Sequence, residues 1–463
     1  MPQSDKVQSS EEGKIRLRQV LQEKKLSEKL TQDEVAKQAH VSLDTLKRLL
    51  GTKECSNGVE RWAVINIANV LNIKPTDIVD PKDWYAQQQL PTEFEPLIKE
   101  KIKEFCGRKF VFDAFEQFLT NYRNGYFTVV GDAGMGKSAI AAKYVFDNHA
   151  ICYFNILAER RNRPELFLKS IRQQLINRYQ LQDAGDADLP TLLAKVVQKR
   201  PAGERLVIVV DALDEVEQEG TGNLLYLPIT LPEQIYFLLT RRPYHENERL
   251  LNVSPGIPMQ ELDLRKHSDE SSQDVKEYIW QCLNQEQDWQ TLLRRWIENR
   301  QLTSGQFVEE VSKKSENNFM YLKYVLPDIA RGRYDDLSLD KLPTGLEGYY
   351  ENHWQQMGMT NKPLPRNKIK IVYAMSALRG AASRSVIAKY SKQNELTVQE
   401  ILEDWAQFLE KQDQYDPPRY RFYHESFRDF LHRQDKVQAA GVSLPEISAE
   451  VAAAITGGIF GDG

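Results

Sequence analysis

The spacing of apolar residues changes several times along this chain, and each change marks a different kind of element. Over the first 80 residues the period is helical: a charged helix at 14–29, a second carrying Val35, Ala36 and Ala39, a third at 43–50, and a fourth with Ala63, Ile65, Ile67, Val70 and Leu71. Thr31 and Glu34 have the spacing of a capping box, Ser42 caps the third helix, and Gly51 stops it. Two short helices across a tight turn at His40 and Val41 predict a helix-turn-helix. Further on, short apolar runs at 126–130, 151–156, 206–210 and 235–239 alternate with helical or loop material. That alternation predicts an α/β domain around a parallel sheet. Past 265 the helical period returns, first with Val275, Tyr278, Ile279 and Cys282, then with Phe307, Val308 and Val311. After a break at 342–346, helices at 368–378, 385–391 and 398–408 and a β element at 420–423 predict a winged helix.

One stretch organises the rest. Gly131-Asp132-Ala133-Gly134-Met135-Gly136-Lys137-Ser138 follows an apolar run, precedes a helix and fits the phosphate-binding pattern G-x-x-x-x-G-K-[ST]. Gly131, Gly134 and Gly136 let backbone N–H groups turn onto a polyphosphate, Lys137 supplies a point charge, and the Ser138 hydroxyl suits Mg²⁺. Asp211 ends a wholly apolar run, which places it at the carboxyl edge of a buried strand as the natural Mg²⁺ partner. Asp214 and Glu215 lie close enough to orient or deprotonate an attacking water, and the residues alone do not choose between them. Arg241 and Arg242 end the next strand at the same edge. A surface salt bridge is the plain use of such arginines, but beside a phosphate loop one of them suits the terminal phosphate.

The expected fold class is α/β, a P-loop NTPase parallel sheet flanked by an N-terminal all-α helix-turn-helix domain and C-terminal helical and winged-helix domains. The expected divisions are 1–80, a Gln- and Pro-rich linker at 81–104, the NTPase at 105–264, a helical domain at 265–345, the winged helix at 346–436 and an apolar, Gly-rich tail at 437–463. With 463 residues, 41% of them hydrophobic, the chain can bury several cores. Its net charge of −5 gives no global attraction for nucleic acid, so any such binding needs a local patch. Four scattered cysteines without a C-x-x-C pair fit reduced thiols rather than a zinc site or a disulfide framework, and no apolar run reaches membrane-spanning length. A cytoplasmic protein with no membrane span is expected.

The segments 30–36 and 41–46 resemble the phage-repressor-like helix-turn-helix family. The resemblance implies DNA reading, with Gln32 and Ser42 on phosphates and Thr45, Lys47 and Arg48 facing the major groove. The first 80 residues hold 13 Lys/Arg against 12 Asp/Glu, a difference of +1, and Asp44 sits on the would-be recognition helix. A protein-interaction or structural role for the module therefore stays open.

Phe105-Cys106-Gly107-Arg108, the phosphate loop, Asp211-Ala212-Leu213-Asp214-Glu215 and Leu238-Leu239-Thr240-Arg241-Arg242-Pro243 together resemble the NACHT branch of the STAND signalling ATPases. The resemblance implies ATP and ADP as ligands with Mg²⁺, Gly107 and Arg108 near the adenine, and Arg242 as the sensor of the terminal phosphate. Residues 315–322 resemble the segment that packs near the adenine, although that family often has Gly where Asn317 stands and the related Gly-x-Pro contact is absent. Residues 422–431 resemble the family's closing motif, which implies that His424 reaches the β-phosphate of ADP and locks a closed state. The expected function is an ATP-driven signalling switch, closed with ADP and open with ATP, that forms a homo-oligomer when an unknown protein trigger activates it, in bacterial regulation or antiphage defence. The alternative is a nucleotide-gated transcription regulator that binds DNA.

Overall fold

Four strands buried along their whole length form the centre of the computed structural model: β1 (Gly125–Val130), β2 (Ile151–Phe154), β3 (Leu206–Asp211) and β4 (Ile235–Arg241). A fifth, β5 (Met259–Asp263), adds an edge. The structure describes residues 6–54, 58–84, 90–200, 203–244, 249–284, 288–334, 338–378, 380–432 and 449. All pairings in this sheet are parallel, in the order β2-β3-β4-β1-β5. A parallel sheet covered on both faces needs continuous apolar strands, which is why the four central runs stood out. The register aligns the functional edge: Phe154 faces Asp211 across one pair, and Val130 faces Arg241 and Asp263 across two others. Because β4 lies between β1 and β3, Thr240 and the arginines emerge between the phosphate loop and Asp211.

The stretch expected as a linker at 81–104 is folded at both ends: the short helix Pro81–Trp84 buries Trp84 in the N-terminal core, and the chain is folded again from residue 90 on. Phe94 is fully buried, with its ring 5.4 Å from those of Tyr153 and Phe154. The helix Glu95–Ile102 then packs on the helix Lys137–Asn148 that follows the phosphate loop. An aromatic anchor surrounded by Gln and Pro has no periodicity to announce it. Residues 85–89 lie outside the described residues.

At the N-terminus the helices Glu11–Glu28, Gln32–Gln38, Leu43–Leu49 and Arg61–Leu71 enclose a separate core around Leu17, Leu46, Val64 and Ile67. The capping box of Thr31 and Glu34 and the Ser42 cap both form. A short antiparallel pair, Lys6–Val7 with Val59–Glu60, closes the module. It meets the NTPase domain through Lys74 and Glu116, 3.0 Å apart, and through the Asn69 amide donating to the Gly203 carbonyl at 3.3 Å.

The C-terminal half contains the helices Ser268–Asn284, Asp288–Asn299, Ser304–Ser315, Phe319–Ala330 and Gly345–Gln356. The helices Arg366–Leu378, Arg384–Ser391 and Glu395–Asp404 follow, and a three-stranded antiparallel sheet with Arg419–Phe422 in its centre supplies the wing. The helical and winged parts share one continuous core, in contrast to the division expected at 345/346. Rings join them: Tyr324 stacks on Tyr349 at 5.2 Å and meets Phe408 edge-on at 5.4 Å. The expected tail at 437–463 lies outside the described residues apart from residue 449. No helix among the described residues is long and apolar enough to cross a membrane.

Candidate functional site

The loop after β1 turns at Gly134 and Gly136, whose φ angles of 85° and 88° suit residues without a side chain. A helix starts at Lys137, so its positive dipole end faces the loop. The Lys137 ammonium folds back and donates to the carbonyls of Gly131 at 2.7 Å and Asp132 at 2.9 Å. Burial lowers its pKa, while the carboxylates of Asp214 and Asp211 hold it up against the charge of Arg242.

Asp211 is buried at the end of β3. Its Oδ1 accepts a short hydrogen bond from the Thr240 hydroxyl, which itself accepts from the Ala212 N–H at 2.9 Å. Burial raises the pKa of this carboxyl, and hydrogen bonds from Thr240 and Ser138 oppose the rise. A hydroxyl and a carboxylate in contact are hard oxygen donors of the kind Mg²⁺ takes beside phosphate and water. Ser138 and Asp211 would be the residues to hold it.

Asp214 and Glu215 lie on a short turn entered through Ala212, whose φ is 53°. Their environments differ sharply. Asp214 accepts the Arg242 N–H at 3.0 Å and meets its Nε at 3.2 Å. Glu215 accepts the Leu157 N–H at 3.2 Å, and its pKa is pushed up to about 8 by burial and then by the charges of Glu425 and Asp214. In this arrangement Glu215 therefore holds a proton at neutral pH, whereas Asp214 is committed to Arg242. Arg242 spans two domains: besides Asp214 it binds Asp429 on the helix Glu425–His432. Burial works against its charge, but Asp429 and Asp214 raise its pKa.

On the opposite side of the loop, Arg108 is buried and fully engaged. Its guanidinium donates to Ser271 Oγ at 2.9 Å and to the Met135 carbonyl at 2.7 Å, and its backbone N–H donates to Asp274 at 2.9 Å. Gly107 has a φ of 66°, and a Cβ there would lie 2.2 Å from Asp274 Oδ1. This pair fixes the loop against the helix Ser268–Asn284. Asn318, within the segment 315–322 expected near the adenine but given no role of its own, caps the helix Phe319–Ala330 with Oδ1 and donates through Nδ2 to the Ala133 carbonyl at 2.9 Å. The Phe319 N–H reaches the Gly134 carbonyl at 3.0 Å. Residues 317–321 therefore sit on the phosphate loop, and Asn317 has a φ of 62°, a backbone conformation that glycine adopts most easily.

His424 Nδ1 accepts from the Ser426 N–H at 3.2 Å and lies 2.6 Å from its hydroxyl. Burial, then Lys101, Arg242, Lys137 and Lys323, push its pKa down to about 3. The imidazole is neutral with its proton on Nε2, a donor for a phosphate oxygen.

Asn155, directly after β2, was also missed. Its Nδ2 donates to the Asp211 carbonyl at 2.7 Å, while its buried Oδ1 has no partner among the described residues. Its only sequence signal is a polar residue at the end of an apolar run.

The candidate DNA-contacting residues form a separate group. Gln32, Ser42 and Arg48 are exposed, Thr45 and Lys47 half-buried, while Leu46 and Leu49 face the core. Ser42 Oγ accepts from the Thr45 N–H at 3.1 Å, and Lys53 pairs with Asp44 and offsets its charge.

The family described as "Nephrocystin 3, N-terminal" matches residues 106–242, a span that holds the loop, Asp211 and Arg242. No curated protein matches the chain. Among solved structures it is similar to Thermotoga maritima RuvB, described as a Holliday junction branch migration motor, at 12% identity over 74% of this chain and 98% of that one, with a TM-score of 0.23. Two mutant forms of the same protein match at 13% identity (71% and 96% covered, TM-score 0.25) and 12% identity (72% and 94% covered, TM-score 0.24). Scores this low add nothing to the fold. The sheet, the loop and the acidic strand end make this a P-loop NTPase domain.

Proposed function

We propose that the chain is a STAND-type signalling switch of the NACHT kind that binds and slowly hydrolyses ATP, closed with ADP and open and oligomeric with ATP. The observation that carries this reading is Arg242, the would-be phosphate sensor, held between Asp214 of the NTPase domain and Asp429 of the winged helix. A γ-phosphate that recruits Arg242 competes with Asp429. His424, with Nε2 as donor, supports ADP retention from the same winged part.

Within the site, Gly131, Gly134 and Gly136 shape the loop, and Lys137 exchanges its carbonyl partners for phosphate. Ser138 and Asp211 would hold Mg²⁺, which when bound neutralises phosphate charge. Gly107 and Arg108 position the adenine side through Asp274 and Met135, and Glu215, once withdrawal of the helix Glu425–His432 has lowered its proton affinity, takes the proton from a water oriented with Asp214. Light scattering with ADP, with a non-hydrolysable ATP analogue and with Lys137→Ala tests the switch. The analogue drives the wild type into a larger defined assembly and leaves the variant monomeric. An unchanged size throughout would make the second reading the leading one.

That second reading, a nucleotide-gated DNA-binding regulator, is supported by the exposed Gln32 and Arg48 beside a helix cap at Ser42. It requires salt-dependent binding to one DNA sequence.

A further inference from the structure

A partly open cavity of about 310 Å³ lies where three parts of the chain meet, away from the phosphate loop. Glu104 lines it from the entry segment, Lys323, Pro327 and Asp328 from the helix Phe319–Ala330, and Gln407, Leu409 and Tyr423 from the winged part. Its polar groups include two carboxylates, each already held by a tyrosine hydroxyl. Asp328 is a buried carboxylate whose Oδ2 accepts from the Tyr349 hydroxyl at 2.7 Å, and Glu104 Oε2 accepts from the Tyr278 hydroxyl at 3.1 Å. Each carboxylate retains further lone pairs. Pro327 has no N–H to offer the Lys323 carbonyl one helical turn back, which leaves that acceptor to other donors.

Three cations lie near these carboxylates but beyond hydrogen-bond distance, and one of them, Arg333, has Nε 3.7 Å from Asp328 Oδ2. Lys323 Nζ stays 3.8 Å from Glu104, and Arg331 Nη1 stays 3.7 Å from Asp328 with its side chain two-thirds exposed. Tyr278, Trp289 and Tyr423 supply aromatic walls, whose negative faces attract cations and whose area suits an apolar body.

We propose that this cavity binds a small organic cation, an ammonium or guanidinium group on an apolar body, and that its occupancy strengthens the closed form. The charged group meets Glu104 and Asp328, and the body lies among the rings. The ligand requires Glu104 and Tyr423 to be together, as they are on the wall of this cavity, and Tyr423 is tied to the same entry segment by its hydroxyl, which donates to Glu100 at 3.3 Å, and by Lys101 over its ring. His424 is the next residue, so an occupant that holds Tyr423 also holds the histidine. Only this coupling rests on the switch reading; the binding itself does not.

The test uses the full chain loaded with ADP and titration calorimetry with phenethylamine, 2-phenylethanol and 3-phenylpropionate, which share a ring and differ in charge. The amine binds, the alcohol at least tenfold more weakly, the acid not at all, and Glu104→Gln weakens the amine about tenfold. Tryptamine and agmatine extend the series. Equal binding of amine and alcohol, an unchanged Glu104→Gln, or no binding by any of the three amines overturns the site. At ten times its Kd a ligand confined to the closed form slows release of a fluorescent ADP analogue about 11-fold. Lys137→Ala still binds the amine, so loss of nucleotide binding in that variant leaves the site's own test intact. Binding without slower ADP release overturns the coupling.

Discussion

Asp429→Asn keeps the shape of the side chain and removes the charge that holds Arg242 to the winged helix. The Asp214, Arg242 and Asp429 side chains are 14%, 23% and 38% exposed, so the contact is neither a free surface pair nor a dry one. Hydrogen bonds to charged groups contribute about 1.5–3 kcal/mol when sheltered, and exposed ion pairs about 0.2–1 kcal/mol. The contact between Arg242 and Asp429 therefore contributes about 1–2 kcal/mol to the closed form, which corresponds to a factor of about 5–30 in its equilibrium constant. Stopped-flow release of a fluorescent ADP analogue should accelerate by that factor in Asp429→Asn. Release from the wild type should also accelerate with added salt, because the pair is partly screened. A double-mutant cycle with Arg242→Gln isolates the contact: once Arg242 is gone, Asp429→Asn should add nothing. Release at the wild-type rate in Asp429→Asn, or an undiminished effect of it in the Arg242→Gln background, would refute the latch and leave Arg242 as a phosphate contact alone.

Three other changes test separate parts of the structure. Gly134→Ala would place a Cβ 2.3 Å from Asn318 Oδ1 at a φ of 85°, so it should lose both the helix cap and a relaxed backbone, about 2–3 kcal/mol together. Thermal melts and ADP titration read this out, and wild-type values for both would contradict the packing of residue 318 on the loop. Phe94→Ala should cost about 3–5 kcal/mol in denaturant melts, whereas a residue in a free linker would cost nothing. The folded Glu215 carboxyl takes up its proton near pH 8 and an ordinary glutamate near 4.5. Between those values the folded state binds more protons, so this group's contribution to stability is complete at low pH and is lost as the pH rises through about 8. Glu215→Gln should remove that part of the fall in melting temperature between pH 5.5 and 8.5, and an unchanged slope would count against the assignment.

The parts legible in the sequence were those whose cause is local. Strands β1 to β4 are buried on both faces and read as unbroken apolar runs, the loop glycines answer to backbone geometry, and Thr31 and Ser42 cap helices that begin within three residues. What stayed hidden depends on partners distant in the chain. Strand β5 is an edge strand with Met259, Gln260 and Glu261 exposed, so no apolar run marks it. Arg242 and Asp429 are 187 positions apart and Asn318 and Ala133 are 185 apart, and neither separation leaves a periodic trace. Arg108 shows the same limit from the other side. It was expected near the adenine, and nothing in the sequence announced its use of Ser271, Asp274 and Met135 as partners.

On the switch reading, Glu215 links the opening of the molecule to its chemistry. In the closed arrangement burial raises its proton affinity first, and the charges of Glu425 and Asp214 raise it further. A glutamic acid that keeps its proton at neutral pH cannot accept another from water. Withdrawal of the helix Glu425–His432 removes the Glu425 charge and admits solvent, and both changes lower the proton affinity of Glu215. Deprotonation in turn sets Glu215 against Glu425 and opposes return of the helix. The same movement frees Arg242 from Asp429. The closed form is thus held in an inactive protonation state by the contact that keeps it closed, so nucleotide bound in that form is kept from premature hydrolysis. The base appears only when the arginine that stabilises phosphate charge is also released.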